Sequence, residues 1–252
     1  CIKNSQCKNF EFKNSNVEKV SDFFESHFDS FEMRKSIFRD FAGFENTIFG
    51  TKEFGKATFT YVTFMSFVNF RGATFNFGLD LSNTNLKESP NFLGINILSD
   101  KTNRETFRII KNSFDKHGNH IEANNYFSKE MKAYKKERNS FFTQLILDLN
   151  NLISNFGNNY IRPIIILILS MIYYGYVSIH QQELYSYYAN FDFLKDIEWL
   201  IILLNNSAKN FLPFSNFVKE KQGIEFLSVL FYIWFSVLIW QIVIAVKRHT
   251  IR

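Results

Sequence analysis

The chain has 252 residues, and its 46% hydrophobic and 18% aromatic content is enough to bury a large core in one or two domains. Its formal charge is +5, but residues 1–98 carry 11 basic and 11 acidic side chains, so the whole excess lies in the C-terminal part. A neutral N-terminal part does not offer the acidic surface of a protein that imitates DNA, and no nucleic-acid partner is expected.

Cys1 and Cys7 are the two cysteines of the chain. They are too few and too close together for a disulfide framework, and no later Cys or His completes a zinc-ligand spacing. The pattern predicts a protein of a reducing compartment. The sequence starts with neither Met nor a signal sequence, so we expect a truncated chain, with a mature lipoprotein as the alternative.

The N-terminal part repeats apolar side chains every five residues, most clearly in FENTIFGTKEFGKATFTYVTF at positions 44–64. A strand repeats its buried side chains every two residues and a helix every three to four, so neither element explains this period. Steps of five and six residues predict the following core positions: Phe23, Phe28, Met33, Phe38, Phe44, Phe49, Phe54, Phe59, Phe64, Phe70, Phe75, Leu81 and Leu86.

A small residue precedes several of these positions by two, as in Ser26, Ser36, Thr47 and Ala57. This double pattern resembles the pentapeptide-repeat family over roughly residues 2–97. The resemblance implies that residues 1–98 form a right-handed quadrilateral β-helix, a β-solenoid, with four pentapeptides in each turn and strands about 4.8 Å apart. Phe44 is then expected directly beneath Phe64.

Residues 99–138 read as a helical hairpin around the turn at 116–119, with apolar residues at helical spacing on both sides. Such a hairpin is suited to cover the open end of a solenoid, where strand edges and a Phe layer are exposed. His117 in the turn and His120 just after it suggest a metal site, but Gly118 separates them and no further ligand is fixed. We therefore predict a solvated loop, no metal and no cofactor.

Residues 139–158 form an amphipathic pattern, with Phe142, Leu145, Leu149 and Ile153 on one face and Asp148 on the other. We predict a helix lying in a membrane interface, with a helix of a soluble bundle as the alternative.

Residues 159–252 are predicted to be an α-helical transmembrane hairpin. Residues 161–179 and 224–246 each contain one charged residue, and as helices they are about 28 and 34 Å long, which suits a hydrocarbon core of about 30 Å. Basic residues precede the first span and follow the second, which predicts cytoplasmic termini in a bacterial-type inner (plasma) membrane.

Between the spans, residues 194–213 contain an apolar segment too short to cross, followed by a polar run, which predicts a re-entrant pore-like helix. The candidate pore loop comprises Asn205, Asn206, Ser207, Ala208, Lys209 and Asn210. This order resembles the pore module of two-span potassium channels. The filter sequence of that family is missing, and Lys209 disfavours cations if it faces a pore.

The second span carries a polar stripe at about four-residue spacing, formed by Glu225, Ser228, Tyr232 and Ser236, with Gln241 deeper on a neighbouring face. Two roles are open for these residues: lining a water-filled path, or hydrogen bonding between helices.

No phosphate-binding glycine loop, zincin helix or nucleophile set is present, so we predict a non-enzyme. The first functional hypothesis is an oligomeric, ion-channel-like membrane protein whose cytoplasmic repeat domain assembles it or senses a protein partner. The alternative is a membrane-anchored, protein-binding scaffold without conductance. The expected partners are the lipid bilayer, further copies of the chain and a cytoplasmic protein.

Overall fold

In a computed structural model, which describes residues 1–180, 202–206 and 224–250, the N-terminal part is a β-solenoid of about four turns. The strands of the first two turns are β1 (Gln6–Lys13), β2 (Asn16–Val17), β3 (Ser21–Asp22), β4 (His27–Arg34), β5 (Ile37–Phe38) and β6 (Ala42–Gly43). Those that follow are β7 (Ile48–Phe49), β8 (Ala57–Thr60), β9 (Thr63–Phe64), β10 (Val68–Asn69), β11 (Thr74–Phe75), β12 (Leu79–Asp80), β13 (Asn85–Leu86) and β14 (Asn96–Ile97).

Every strand pairs in parallel with the strand above or below it, in three sheets that run along the solenoid axis. The register shows that the turns differ in length. Phe28 pairs with Phe49, Phe49 with Phe75, and Phe75 with Ile97, so the step from Phe49 to Phe75 is the longest of the three. All three steps are longer than a turn of four equal pentapeptides.

The core consists of stacked rings. In the clearest column the ring of Phe44 lies 5.0 Å from that of Phe23 and 5.0 Å from that of Phe70, and Phe92 continues the column at 5.3 Å from Phe70. The expectation that Phe44 lies beneath Phe64 is wrong, because Phe64 stacks on Phe38 at 5.2 Å. A register of four equal pentapeptides places the wrong rings together, since the actual turns are longer.

Phe54 is a second correction. It is 53% exposed, whereas eleven of the other predicted core residues are buried and Leu86 is half-buried. Residues 51–55 form a loop that leaves the solenoid wall, and this loop accounts for the extra length of the step from Phe49 to Phe75. Thr51 closes the loop: its N–H donates to the Phe54 carbonyl at 2.9 Å, and its Oγ1 accepts from the Phe54 N–H at 3.1 Å.

A glycine stands at each end of this loop: Gly50 directly precedes it and Gly55 is its last residue. Gly50 and Gly55 have positive φ angles of 77° and 91°, and a Cβ added to Gly55 would lie 1.7 Å from the Asp29 carbonyl oxygen. Both a left-handed backbone and close contact with the preceding turn therefore require glycine at position 55.

The small residues two positions before the central ring are buried, and their hydroxyl groups bond to backbone. Thr47 Oγ1 donates to the Phe23 carbonyl at 2.8 Å, and Ser36 Oγ donates to the Arg34 carbonyl at 2.9 Å. Ala42, Ala57 and Ala73 occupy the same position and are completely buried. The wall leaves space for a small side chain only, and a hydroxyl is accepted because its hydrogen bond is satisfied.

At two corners of each turn one residue has a left-handed backbone. The equivalent residues of successive turns form two corner columns. The first column comprises Asn4, Glu25, Asn46, Gly72 and Gly94, and the second comprises Asn14, Lys35, Tyr61 and Asn83. The N–H of each first-column residue from Asn4 to Gly72 donates to a carbonyl of the next turn, for example from Glu25 to Glu45 at 3.0 Å. The chain thus turns a corner without losing its axial hydrogen bonds.

Helices α1 (Arg104–Lys116) and α2 (His120–Lys136) follow a short 3₁₀ turn, Ser99–Lys101, and cover the end of the solenoid. Phe107, Ile110, Phe114 and Tyr126 of these helices belong to the same buried cluster as the stacked rings. The N–H groups of Leu79 and Leu81 on the last turn donate to Thr102 Oγ1 and Thr106 Oγ1 at 3.1 and 2.8 Å. The segment from the 3₁₀ turn through α2 is called the cap. The hydroxyl groups of the cap accept the hydrogen bonds that a strand of a further turn would have accepted.

Asp80 connects the last turn to the cap. Its carboxylate accepts from the Ser82 hydroxyl at 2.6 Å, from the Asn103 amide at 2.7 Å and from the Lys56 ammonium at 3.0 Å. Burial alone would raise the pKa of Asp80, but the hydrogen bonds from Ser82 and Lys56 outweigh burial and hold it below its usual value.

Three further long helices follow, α3 (Phe141–Ser154), α4 (Ile161–Ile179) and α5 (Glu225–Thr250), and residues 202–206 form a short helical segment between α4 and α5. The chain divides into two units, Cys1–Asn151 with Arg248–Arg252, and Leu152–Lys247. Helix α4 has the bounds predicted for the first span, and α5 begins one residue after the predicted start of the second span and ends four residues beyond its predicted end.

Candidate functional site

The second unit contains the two helices that are long and apolar enough to cross a membrane, α4 and α5. At 1.5 Å per residue their lengths are about 28 and 39 Å, against a hydrocarbon core of about 30 Å. Only 11% and 17% of their most apolar windows are buried. The central helix of a soluble protein would be mostly buried, whereas most residues of these two windows are at least partly exposed.

Tyr174 of α4 is the centre of the polar contacts between the two helices. Its hydroxyl donates to Ser228 Oγ at 3.1 Å and lies 3.4 Å from the hydroxyl of Tyr232. Ser228 Oγ in turn donates to the Ile224 carbonyl at 2.9 Å. The rings of Phe231 and Phe235 surround Tyr174 at 5.0 and 6.0 Å. The two helices thus share a cluster of hydroxyl groups, and two aromatic rings of α5 pack against the ring of Tyr174.

Two more polar contacts lie further along α5. Trp234 Nε1 donates to Ser170 Oγ on α4 at 3.0 Å. Ser154 Oγ, at the end of α3, donates to Gln241 Oε1 at 2.9 Å. Each pair gives a hydrogen-bond partner to polar groups on otherwise apolar helices. Polar side chains inside a membrane require such partners.

The predicted polar stripe of α5 is therefore divided between different environments. Ser228 and Tyr232 contact α4, and Gln241 contacts the end of α3. Glu225 is buried, with 1% exposed. Ser236 is exposed, and its hydroxyl donates to the Tyr232 carbonyl of its own helix at 2.8 Å. Three of the five residues thus have the contacts that the helix-bonding role requires.

The candidate pore loop is described only in part. Asn205 and Asn206 lie in a short helical segment, residues 202–206, and Asn205 Oδ1 accepts from the Phe226 N–H at 3.0 Å. This bond satisfies one of the unpaired N–H groups at the start of α5. Ser207, Ala208, Lys209 and Asn210, and most of the predicted re-entrant segment 194–213, lie outside the described residues.

Three contact residues, Ser170, Tyr174 and Trp234, were not among the predicted site residues. Ser170 and Tyr174 are four residues apart on α4, the same spacing as Ser228 and Tyr232 on α5. The same four-residue spacing of polar residues on both apolar helices is the signal in the sequence that these residues could contact each other. Tyr174 lies in a tyrosine-rich stretch with Tyr173 and Tyr176, and the sequence does not distinguish it from these neighbours.

Within the described ranges no group of three or more His, Cys, Asp and Glu side chains is arranged to hold a metal ion. Comparisons with protein-family models, with curated proteins and with solved structures gave no match. The protein is therefore classified by its architecture: a β-solenoid followed by a helical region with two long apolar helices.

Proposed function

We propose that the chain is an integral membrane protein in which α4 and α5 cross the bilayer and anchor the solenoid. The observation that carries this proposal is the distribution of side chains on the two helices. Their polar groups bond to each other around Tyr174, Ser170 and Trp234, whereas large apolar side chains such as Ile168, Ile172, Ile233 and Trp240 are exposed. This arrangement suits lipid as the surrounding solvent.

The solenoid is proposed to belong to the right-handed, four-sided pentapeptide-repeat type. The buried small residues before each central ring and the nearly equal steps from Phe28 to Phe49 and from Phe75 to Ile97 support this type. We propose an inner (plasma) membrane location with both termini in the cytoplasm, on the basis of the basic residues that flank the two helices.

Within this class, a membrane-anchored scaffold is the function that the contacts favour. Ser228, Tyr232 and Gln241 are engaged inside one chain, so they are not available to line a path for ions. The solenoid, in contrast, has a side surface on which Phe41 and Phe67 stack at 6.3 Å between their ring centres. A repeated wall of this kind is suited to bind a protein partner.

An oligomeric channel-like protein is the second candidate. The observation in its favour is the bond from Phe226 to Asn205, which joins the first residues of the predicted pore loop to the start of α5. The exposed hydroxyl-bearing side chain of Ser236 on α5 is a further polar group available to a path between copies. One hairpin does not enclose a pore, so this function requires a closed ring of chains.

Three measurements on the full chain test these proposals. Alkaline carbonate should leave the protein in the membrane fraction, and its release would contradict membrane anchoring. A scaffold should show no ion flux in liposomes and no closed ring by native mass spectrometry. Flux from a ring, with an ion selectivity that changes on substitution of Ser207 or Lys209, would instead establish the channel.

A further inference from the structure

Helix α3 has an apolar face that is exposed along its length. Phe141 is 76% and Phe142 75% exposed. The α3 apolar face is formed by Phe141, Phe142, Leu145, Ile146, Leu149 and Leu152. Six large exposed apolar side chains on one short helix are unusual for a surface in contact with water.

The contacts of α3 explain why this face points outward. Asp148, on the polar side of the helix, forms an ion pair with Lys135 of α2, and Leu147 is buried. At the start of the helix, Ser140 Oγ accepts from the Thr143 N–H at 3.3 Å and the Ser140 carbonyl accepts from the Gln144 N–H at 2.9 Å. The polar side of α3 is therefore fixed to α2, and the apolar face is presented away from it.

The segment before α3 is cationic. Lys135 and Lys136 are neutralised by Asp148 and Asp100. Lys132 and Arg138 are exposed, and neither has an ion pair in the part of the chain that the structure describes. Arg138 stands three residues before the first residue of α3. Two uncompensated positive charges therefore stand next to the α3 apolar face in the chain.

The end of α3 is continuous with the proposed membrane anchor. Ser154, its last residue, donates to Gln241 of α5 at 2.9 Å, and α4 begins at Ile161 after six intervening residues. A helix tied to a membrane span at one end remains close to the bilayer surface. This tethering gives the bilayer a higher effective concentration at the α3 apolar face than any other apolar partner has.

We propose that the α3 apolar face inserts into the interfacial region of a bilayer rich in acidic phospholipids, with Lys132 and Arg138 binding the anionic headgroups. This inference rests on the proposed membrane anchoring and adds the lipid class and the residues that select it. Apolar insertion and attraction to anionic lipid act together in interfacial helices. The solenoid would then be attached to the membrane at α3 as well as through the spans.

The test uses the full chain with Cys1→Ser and Cys7→Ser, a single nitroxide label, and nanodiscs with or without phosphatidylglycerol in phosphatidylcholine. Labels at positions 142, 145 and 149 should be accessible to oxygen and protected from a water-soluble nickel relaxant in the acidic nanodiscs. A label at Gln144 on the opposite side should be protected much less. Omitting the acidic lipid, or introducing Lys132→Gln with Arg138→Gln, should lower the inserted-to-aqueous ratio about 30-fold.

The matched control is Lys19→Gln with Lys87→Gln, which removes the same charge from exposed positions of the solenoid and should leave the ratio unchanged. Labels that are aqueous in all lipids would overturn the proposal. Dipolar broadening between labels would identify a second copy as the occupant and also overturn it. Insertion that is independent of lipid charge would overturn the assignment of Lys132 and Arg138.

Alkaline carbonate extraction of the same labelled chains separates this proposal from the one on which it rests. Release from the membrane would contradict the anchoring by α4 and α5. Retention combined with aqueous labels on α3 would contradict only the interfacial role of this helix.

Discussion

The ring of Phe44 lies parallel to that of Phe23 on the preceding turn, with their centres 5.0 Å apart and an angle of 1° between the planes. On the other side it stacks on Phe70, also at 5.0 Å. Phe44 thus fills the solenoid between two rings and is completely buried. Phe54 occupies the same five-residue register in the sequence but lies on the surface loop.

The first prediction compares these two residues. Phe44→Ala should lower the free energy of unfolding by about 3 to 5 kcal/mol, because it leaves a cavity between two stacked rings. Phe54→Ala should change it by less than about 0.5 kcal/mol, because its ring is mostly in water. Denaturant titration of the full chain in detergent, followed by circular dichroism, measures both. Equal losses would show that the register of the strands is wrong.

The second prediction concerns the loop that contains Phe54. Deleting residues 51–55 joins Gly50 to Lys56 and should preserve the solenoid. Gly50 lies against the Gly55 carbonyl and also has a positive φ, so it can take the place of Gly55, and the shortened turn then matches the length of the turn before it. Deleting residues 57–61 shortens the chain equally but takes away β8, and it should abolish cooperative unfolding. Thermal melts of both deletion variants distinguish a surface loop from a wall segment.

The third prediction concerns the left-handed corners. Glu25 and Lys35 have φ angles of 50° and 48°, which are costly for a residue with an ordinary side chain. Glu25→Asn and Lys35→Asn should each stabilise the fold by about 0.5 to 1 kcal/mol, since Asn tolerates this conformation. Both side chains are exposed, so little else is altered.

Gly72 occupies the corner position equivalent to Glu25 in a later turn, and Gly72→Ala tests the opposite effect, the introduction of a side chain at a left-handed corner. The added Cβ would lie 2.2 Å from Asn46 Oδ1 on a backbone with φ of +66°, and we expect a loss of about 1 to 3 kcal/mol. A neutral Gly72→Ala, or a destabilising Glu25→Asn, would contradict the corner geometry. The melting temperature of each variant gives the sign directly.

The fourth prediction follows from the lowered pKa of Asp80. A carboxyl whose pKa is lower in the folded state adds stability above its unfolded pKa of about 4, and this stability is lost as the pH falls through the folded value. Asp80→Asn should destabilise the cap by about 1 to 2 kcal/mol at neutral pH. The difference in the free energy of unfolding between Asp80→Asn and the parent, measured by denaturant titration at each pH, should become smaller below a pH of about 4. A constant difference across this range would exclude the charge as the cause.

The fifth prediction concerns the paired apolar helices. Tyr174→Phe removes the hydroxyl that contacts Ser228 and Tyr232, and it should weaken helix pairing by about 0.6 kcal/mol. Tyr173→Phe, at a mostly exposed position, is the control and should have no effect. Reversible unfolding in mixed micelles measures both. An equal effect of the two substitutions would argue against the hydroxyl cluster.

The sequence was sufficient to predict a solenoid and two long apolar helices because both depend on local pattern. A central ring every five residues with a small residue before it places the same side chain type inside at each step. A run of about 20 apolar residues defines a helix without any distant partner. For the same reason the helix bounds at Ile161–Ile179 were readable from composition alone.

The stacking of particular rings was decided only by the tertiary structure. The interval from Phe44 to Phe64 is regular in sequence, yet residues 51–55 leave the wall and shift Phe64 onto Phe38. A period of five continues through a loop of five residues, so the pattern does not reveal which pentapeptide is outside. Contacts with the preceding turn select it, because Gly55 lies close to the Asp29 carbonyl and the Gly50 N–H donates to the Phe28 carbonyl at 2.7 Å.

The polar stripe of α5 shows the same limit. Its spacing in the sequence was compatible with a pore or with helix contacts, because each role needs Ser and Tyr on one face. The position of Tyr174 opposite Ser228 and Tyr232 is a relation between two helices that are far apart in the chain. Local sequence determined which elements form, and long-range packing determined which side chains they share, because hydrogen bonds and stacked rings depend on distances that no repeat period encodes.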